Sequence, residues 1–249
     1  MMNWNDNMTV ILMMIAASVL AVIFITVRVA FGQRSVKGGV IAMLAKTLAS
    51  LGFIMVGIIA ISEGVRNNQA AIYFLFGLIL GMVGDIVLDL KVVYGGREEE
   101  GIYLTSGMVS FGLGHALYLI ALLMIPWVKF SVTGDFIGIC IAVSVAITAV
   151  IILAGIFVMK LNFGKFLVHS IVYAFILTFM GVFTVGLMIK TRNTLMLQPM
   201  IGMILFWLSD LVLSKMYFGG AQKNSVFCIV NHVLYYAAQI CIASFICLL

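Results

Sequence analysis

Apolar residues run along this chain in long stretches, broken by short polar connections. A membrane-spanning helix needs roughly 20 of them in a row. Eight stretches qualify: 8–27, 39–61, 70–90, 103–125, 134–158, 166–189, 197–216 and 224–248. The pattern predicts an all-α membrane protein of eight transmembrane helices, with residues 1–249 forming a single integral domain. The first stretch lacks a basic segment ahead of it, and Arg28 follows it instead. It therefore reads as a helix of the bundle and not as a cleaved signal peptide.

Composition supports this picture. Hydrophobic residues make up 64% of the chain and charged residues 9%, against about 25% charged in a soluble domain. There are 2 prolines, and no polar run is long enough to link a second domain. The net charge of +5 lies mostly in the connections, so it reports orientation and gives no reason to invoke nucleic acid. With the N-terminus outside, the inner connections hold Arg28, Arg34, Lys37, Lys91, Arg97, Lys160, Lys165, Lys215 and Lys223. The outer ones hold Arg66, Lys129, Lys190 and Arg192. The bias places both termini outside and the protein in the cell membrane as a multi-pass chain. The acidic run Glu98–Glu100 sits on the inner side, but acids count little in this rule. Cys140, Cys228, Cys241 and Cys247 lie in apolar segments without a paired spacing. They read as small packing residues.

The informative positions are the polar ones inside the apolar stretches. "LFGLILGMVGDIVLDL" (75–90) carries Asp85 and Asp89 one turn apart. A carboxylate at the centre of a spanning helix costs roughly 2.5–3.5 kcal/mol on insertion scales. Gly77, Gly81 and Gly84 share a face with Asp85. Small residues permit close helix approach, so this face turns inward. Gly107, Phe111, Gly114, His115 and Tyr118 form a similar stripe in the fourth segment. The second segment adds Lys46, the sixth His169, Tyr173 and Met180, the seventh Ser209, Asp210 and Ser214. The eighth adds His232, Tyr235, Tyr236 and Gln239. Such groups in the inner half of the membrane would converge on a polar cavity open toward the cytoplasm. The plainer reading is structural pairing, Lys46 with one aspartate and His115 with another. Asp89 is close enough to the helix end to reach the interface. The three histidines lack the HxxxH or HxH spacing of a zinc site, so no metal and no cofactor is expected.

The chain also repeats. "ILGMVGDIVLDLKVVYGG" (79–96) resembles "ILFWLSDLVLSKMYFGG" (204–220), and "HALY" (115–118) resembles "HVLY" (232–235). This suggests a duplication of four helices, with halves related by an axis along the membrane normal. Asp85 and Asp210 would face each other across it, roughly 8–9 Å from the inner surface at 1.5 Å per residue. Asp89 aligns with Ser214 and has no acidic counterpart.

Taken in order, these motifs resemble the YhhN-type lysoplasmalogenase family of eight-helix membrane hydrolases. They are Gly-Asp in the third helix, His-x-x-Tyr in the fourth, "YAFILTFM" (173–180), "LFWLSDLVL" and "YAAQ" (236–239). The resemblance covers most of the chain from the second helix onward. One departure is visible: the family often has Lys-Pro in the second helix, and here Thr47 follows Lys46. The resemblance implies hydrolysis of the vinyl ether bond of a lysophospholipid substrate, a lysoplasmalogen. The products would be a fatty aldehyde and a glycerophospho-ethanolamine or -choline. It points to Asp85 and Asp210 as the catalytic pair. Lys46, His115, Tyr118, Tyr173, Ser209, His232, Tyr236 and Gln239 are the supporting or substrate-binding set.

The chemistry matches these residues. A vinyl ether hydrolyses by proton transfer to carbon, leaving an oxocarbenium ion that water captures. That demands a carboxylic acid and an anion beside it, as paired acids provide in glycosidases. Burial and a neighbouring carboxylate both favour a protonated carboxyl. Either aspartate could be the acid. Lys46 and His115 are candidates for binding the lipid phosphate or setting the protonation states. Two other functions stay open: a transporter, which needs a route to both faces, and a metal-dependent lipid amidase resembling alkaline ceramidases.

Overall fold

The computed structural model describes residues 8–32, 35–94 and 100–249. Arg34, Gly95, Gly96, Arg97, Glu98 and Glu99 lie outside the described residues. Eight helices are long and apolar enough to cross a membrane, in the order the hydropathy pattern predicts, so the chain is a multi-pass membrane protein. They are α1 (Met8–Val27), α2 (Val36–Ser62), α3 (Asn68–Tyr94), α4 (Glu100–Leu123), α6 (Gly134–Phe157), α7 (Leu167–Thr191), α8 (Leu197–Phe218) and α9 (Ser225–Phe245). A short α5 (Pro126–Ser131) joins α4 to α6. No strand occurs among the described residues.

Local chemistry sets the helix ends. Ser35 caps α2 by accepting the Gly38 amide, and Thr133 caps α6 through the Phe136 amide. Asn224 accepts the Val226 and Phe227 amides at the start of α9. Each cap satisfies a donor that the first helical turn leaves unpaired. Pro126 opens α5, where its missing N–H is harmless. α1 does not stop at Val27. It widens into a π-turn, Arg28–Gly32, which carries Arg28 into the protein instead of into a loop.

Packing follows chain order within each half: α1 on α2, α2 on α3, α3 on α4, then α6 on α7, α7 on α8, α8 on α9. The α3–α4 seam is the tightest, because glycines line it. A Cβ on Gly77 would lie 2.3 Å from the Tyr118 ring, and one on Gly84 would lie 2.7 Å from Phe111. The glycine stripe does face inward, and it turns Asp85 in with it. Between the halves, α2 meets α9 and α4 meets α7. An exchange of halves would interconvert these two seams, which supports the duplication as a proposal. The correspondence stops there: α1 packs along α9, whereas α6 forms no comparable seam with α4.

Helices α3 and α8 run past their apolar stretches. Asp85 lies nine residues before Tyr94 and Asp210 eight before Phe218, about 12–14 Å from those ends at 1.5 Å per residue. Polar residues such as Lys91 and Lys215 extend the helices without ending them.

Candidate active site

Lys46 and Ser50 occupy successive turns of α2, and Asp85 and Asp89 successive turns of α3. At four-residue spacing each pair shares a face, and the two faces meet. Lys46 Nζ lies 3.1 Å from Asp85 Oδ1 and 3.3 Å from Asp89 Oδ1. The Arg28 guanidinium pairs with Asp89 Oδ2. All four side chains are buried. Two cations and two anions make a neutral cluster, which is how buried charge is tolerated. Asp85 Oδ2 accepts two further hydrogen bonds, from Ser50 Oγ at 2.7 Å and from the Tyr235 hydroxyl at 2.8 Å.

α9 supplies the wall behind this cluster. Tyr118 donates to Gln239 Oε1 at 3.3 Å, and Gln239 Nε2 donates to the Tyr235 oxygen at 3.0 Å. The chain fixes the Tyr235 hydroxyl toward Asp85. Tyr236 donates to the Lys46 carbonyl at 3.2 Å and sits 3.3 Å from Ser50 Oγ. His232 Nδ1 donates to the Cys228 carbonyl at 2.7 Å, with its ring edge-on to Phe24.

Asp210 on α8 is surrounded differently. Its Oδ2 accepts from the Tyr173 hydroxyl of α7, and among the described residues no ion pair reaches it. It is only partly buried. The Ser209 side chain is a second hydrogen-bond partner of Asp210, and the Ser209 carbonyl accepts from Asn231 Nδ2 at 2.8 Å.

One cavity of about 400 Å³ joins these parts. Its walls include Arg28, Lys46, Asp85, Asp89, Ser209, Asp210, His232 and Tyr235. The exposed Ser35, Gln222 and Lys223 and the buried Lys91 also line it. These lie at the bundle end that carries the richer set of basic connections. Lys91 is buried with its ammonium 4.3 Å from the Tyr217 ring centroid, a favourable cation–π distance. Toward the other end the core is filled by Phe74, Leu78, Tyr118, Leu122 and Phe245.

The structure thus unites Asp85, Asp210, Lys46, Ser209 and His232 around one cavity. Tyr173, Tyr236, Tyr118 and Gln239 stand behind them. It separates His115, whose Nδ1 donates to the Phe111 carbonyl at 2.7 Å and whose ring packs edge-on against Phe206. The expected His115–aspartate pair does not form, because Lys46 and Arg28 already neutralise the two acids of α3. Nor does Asp89 reach the interface. α3 continues beyond it, and Arg28 and Lys46 hold it inside. His169 is exposed. Among the described residues, no cluster of His, Cys, Asp and Glu could hold a metal ion. Arg28, Ser50, Asn231 and Tyr235 complete the site, although only Tyr235 was signalled by its segment. Ser50 was legible as a small polar residue one turn after Lys46. Arg28 was not, since its position after an apolar run looks like a loop charge.

The YhhN family model matches residues 41–246, most of the chain. No curated protein and no solved structure matches it.

Proposed function

The chain belongs to the YhhN family, and from that membership and the cavity we propose a hydrolase that cleaves the vinyl ether of lysoplasmalogens. The observation that carries this reading is the pairing of unlike acids on one cavity. Asp85 is held by Lys46, Ser50 and Tyr235, an environment for a carboxylate. Asp210 has neutral hydroxyl partners, an environment that suits a proton donor.

In this reading the Asp210 carboxyl gives its proton to the alkene carbon one removed from oxygen. The C=C electron pair forms the new C–H bond, and the carbon bonded to oxygen becomes an oxocarbenium ion. The Asp85 carboxylate stabilises that cation, as an ionised partner does in glycosidases. Water adds to the cationic carbon and returns a proton to Asp210. The hemiacetal then collapses. Its hydroxyl proton passes to the glycerol oxygen as the C–O bond breaks, and the aldehyde leaves. Positioned acid catalysis of this kind contributes about 10²–10⁴-fold. Lys91 and Lys223 on the cavity wall suit the head-group phosphate, and the basic end suits a cytoplasmic opening. The apolar core that fills the other end of the bundle suits a hydrolase better than a transporter, which needs a route to both faces.

The test is aldehyde release from a lysoplasmalogen by the purified protein in detergent. Asp85→Asn and Asp210→Asn should each lower the rate about 10²–10⁴-fold. Full activity in both variants sinks the mechanism. Fatty acid release from ceramide in place of aldehyde would favour the amidase reading.

A further inference from the structure

A second, smaller cavity of about 90 Å³ lies between α4, α6, α7 and α8. Its walls are mostly apolar, with Leu104, Met108, Ile152, Leu177 and Trp207 among them. It shares Leu88, Phe111, Asp210, Leu213 and Tyr217 with the polar cavity. Asp210 and its partner Tyr173 therefore stand at the junction of a charged chamber and an apolar one. The apolar chamber lies where α6 forms no seam with α4 comparable to that of α1 with α9. Around it α6 turns large apolar residues outward, such as Val150, Leu153 and Phe157. The Ser170 hydroxyl on its wall is buried without a partner among the described residues, so the wall is not closed by its own hydrogen bonds.

We propose that this pocket is the berth of the substrate's hydrocarbon chain, which enters sideways from the membrane between α4 and α6. The inference rests on the lysoplasmalogen reading for its substrate class. The polar glycerophosphate would occupy the larger cavity and the first chain carbons the smaller one. The bond between them then lies beside Asp210, the group that must protonate the first carbons of the chain. At about 90 Å³ the pocket takes only the start of a long chain, and the remainder lies along α4 and α6 in lipid. This explains why the Asp210 side of the site is less closed than the Asp85 side.

Trp207 on the pocket wall reports on occupancy. Its Nε1 donates to Thr178 Oγ1 at 3.3 Å, which fixes the indole in place. In a Trp4→Phe, Trp127→Phe background it is the sole tryptophan of the chain's three. The probe is a saturated alkyl lysophospholipid brominated near the ether, added to the protein in detergent. The inference expects saturable quenching of Trp207 that the unbrominated analogue reverses, and weaker quenching when bromine sits at the chain end. Ala174→Phe, which fills the pocket, should weaken binding at least tenfold, whereas Ala149→Phe on the lipid face of α6 should not. Quenching that the analogue fails to reverse, or that is strongest at the chain end, overturns the proposal. Aldehyde assays on the same background separate the two ideas. Aldehyde without reversible quenching upholds the enzyme and overturns the berth. Quenching without aldehyde upholds a lipid-chain site and removes the vinyl ether.

Discussion

Each half of the chain brings one aspartate to the same cavity, and the two are treated oppositely. Asp85 is buried at 3% exposure and held by Lys46, Ser50 and Tyr235 in a neutral four-charge cluster. Asp210 has the hydroxyls of Tyr173 and Ser209 as its side-chain partners and opens onto two cavities. The surrounding helices differ in the same sense. α1 closes on α9 beside the first acid, while α6 stands off from α4 beside the second. Matched sequence motifs thus produce unmatched chemistry. What differs is the supply of cations: Arg28 and Lys46 both come from the first half, so only its acids are neutralised.

The largest consequence concerns stability. Asp85→Asn leaves Arg28, Lys46 and Asp89 with a net positive charge in the bundle. Removing one partner of a buried pair typically costs about 3–5 kcal/mol. Asp210→Asn removes no counter-ion among the described residues and should stay within about 1 kcal/mol. Thermal midpoints of the two variants in detergent should differ accordingly, although both lose activity. Equal losses of stability would erase the distinction between the two acids.

Restoring neutrality sharpens this. Lys46→Met alone strands two carboxylates with one guanidinium. Combined with Asp85→Asn it leaves Arg28 paired with Asp89. The double variant should cost less than the two singles added together, with a coupling of roughly 0.5–3 kcal/mol, and still release no aldehyde. If the double variant is merely the sum of the singles, Lys46 and Asp85 do not act as a pair.

The eight helices were legible because each needs a long apolar run, and nothing else in the chain resembles one. Asp85 and Asp210 stood out because acids are costly there, and Gly77 and Gly84 showed which way α3 faces. What stayed hidden depended on how helices end. The π-turn after Val27 takes Arg28 inside, which no hydropathy pattern encodes. With Arg28 misplaced, Asp89 looked interfacial, and His115 looked necessary as a counter-ion. The missing α4–α6 seam is likewise a property of tertiary packing and leaves no mark on the composition of either helix.

The next effect tests the closed side of the comparison. Gly77→Ala places a methyl group 2.3 Å from the Tyr118 ring, and Tyr118 starts the hydrogen-bond chain to Tyr235. Overpacking of this kind costs about 1–3 kcal/mol. The variant should lose stability and also activity, since Tyr235 loses its orientation. A stable Gly77→Ala protein with unchanged activity would mean that the seam can relax without disturbing the site.

The smallest effect decides which acid carries the proton. Tyr235 and Tyr173 each donate a hydroxyl to one aspartate, and Tyr→Phe deletes that bond on either side; Tyr235→Phe also removes the bond from Gln239 Nε2, whose share a Gln239→Leu variant reads separately. A hydrogen bond to a charged group contributes about 1.5–3 kcal/mol, and one between neutral groups about 0.5–1.5. If Asp85 is the carboxylate and Asp210 the acid, Tyr235→Phe should destabilise the protein by the larger amount and Tyr173→Phe by the smaller. Denaturation of both variants in the same detergent reads the difference directly. Equal costs in the upper range would mean that Asp210 is ionised too. The proton for the alkene carbon would then have to come from elsewhere, and the assignment of Asp210 as acid would fall while the cavity and its pair of aspartates remained.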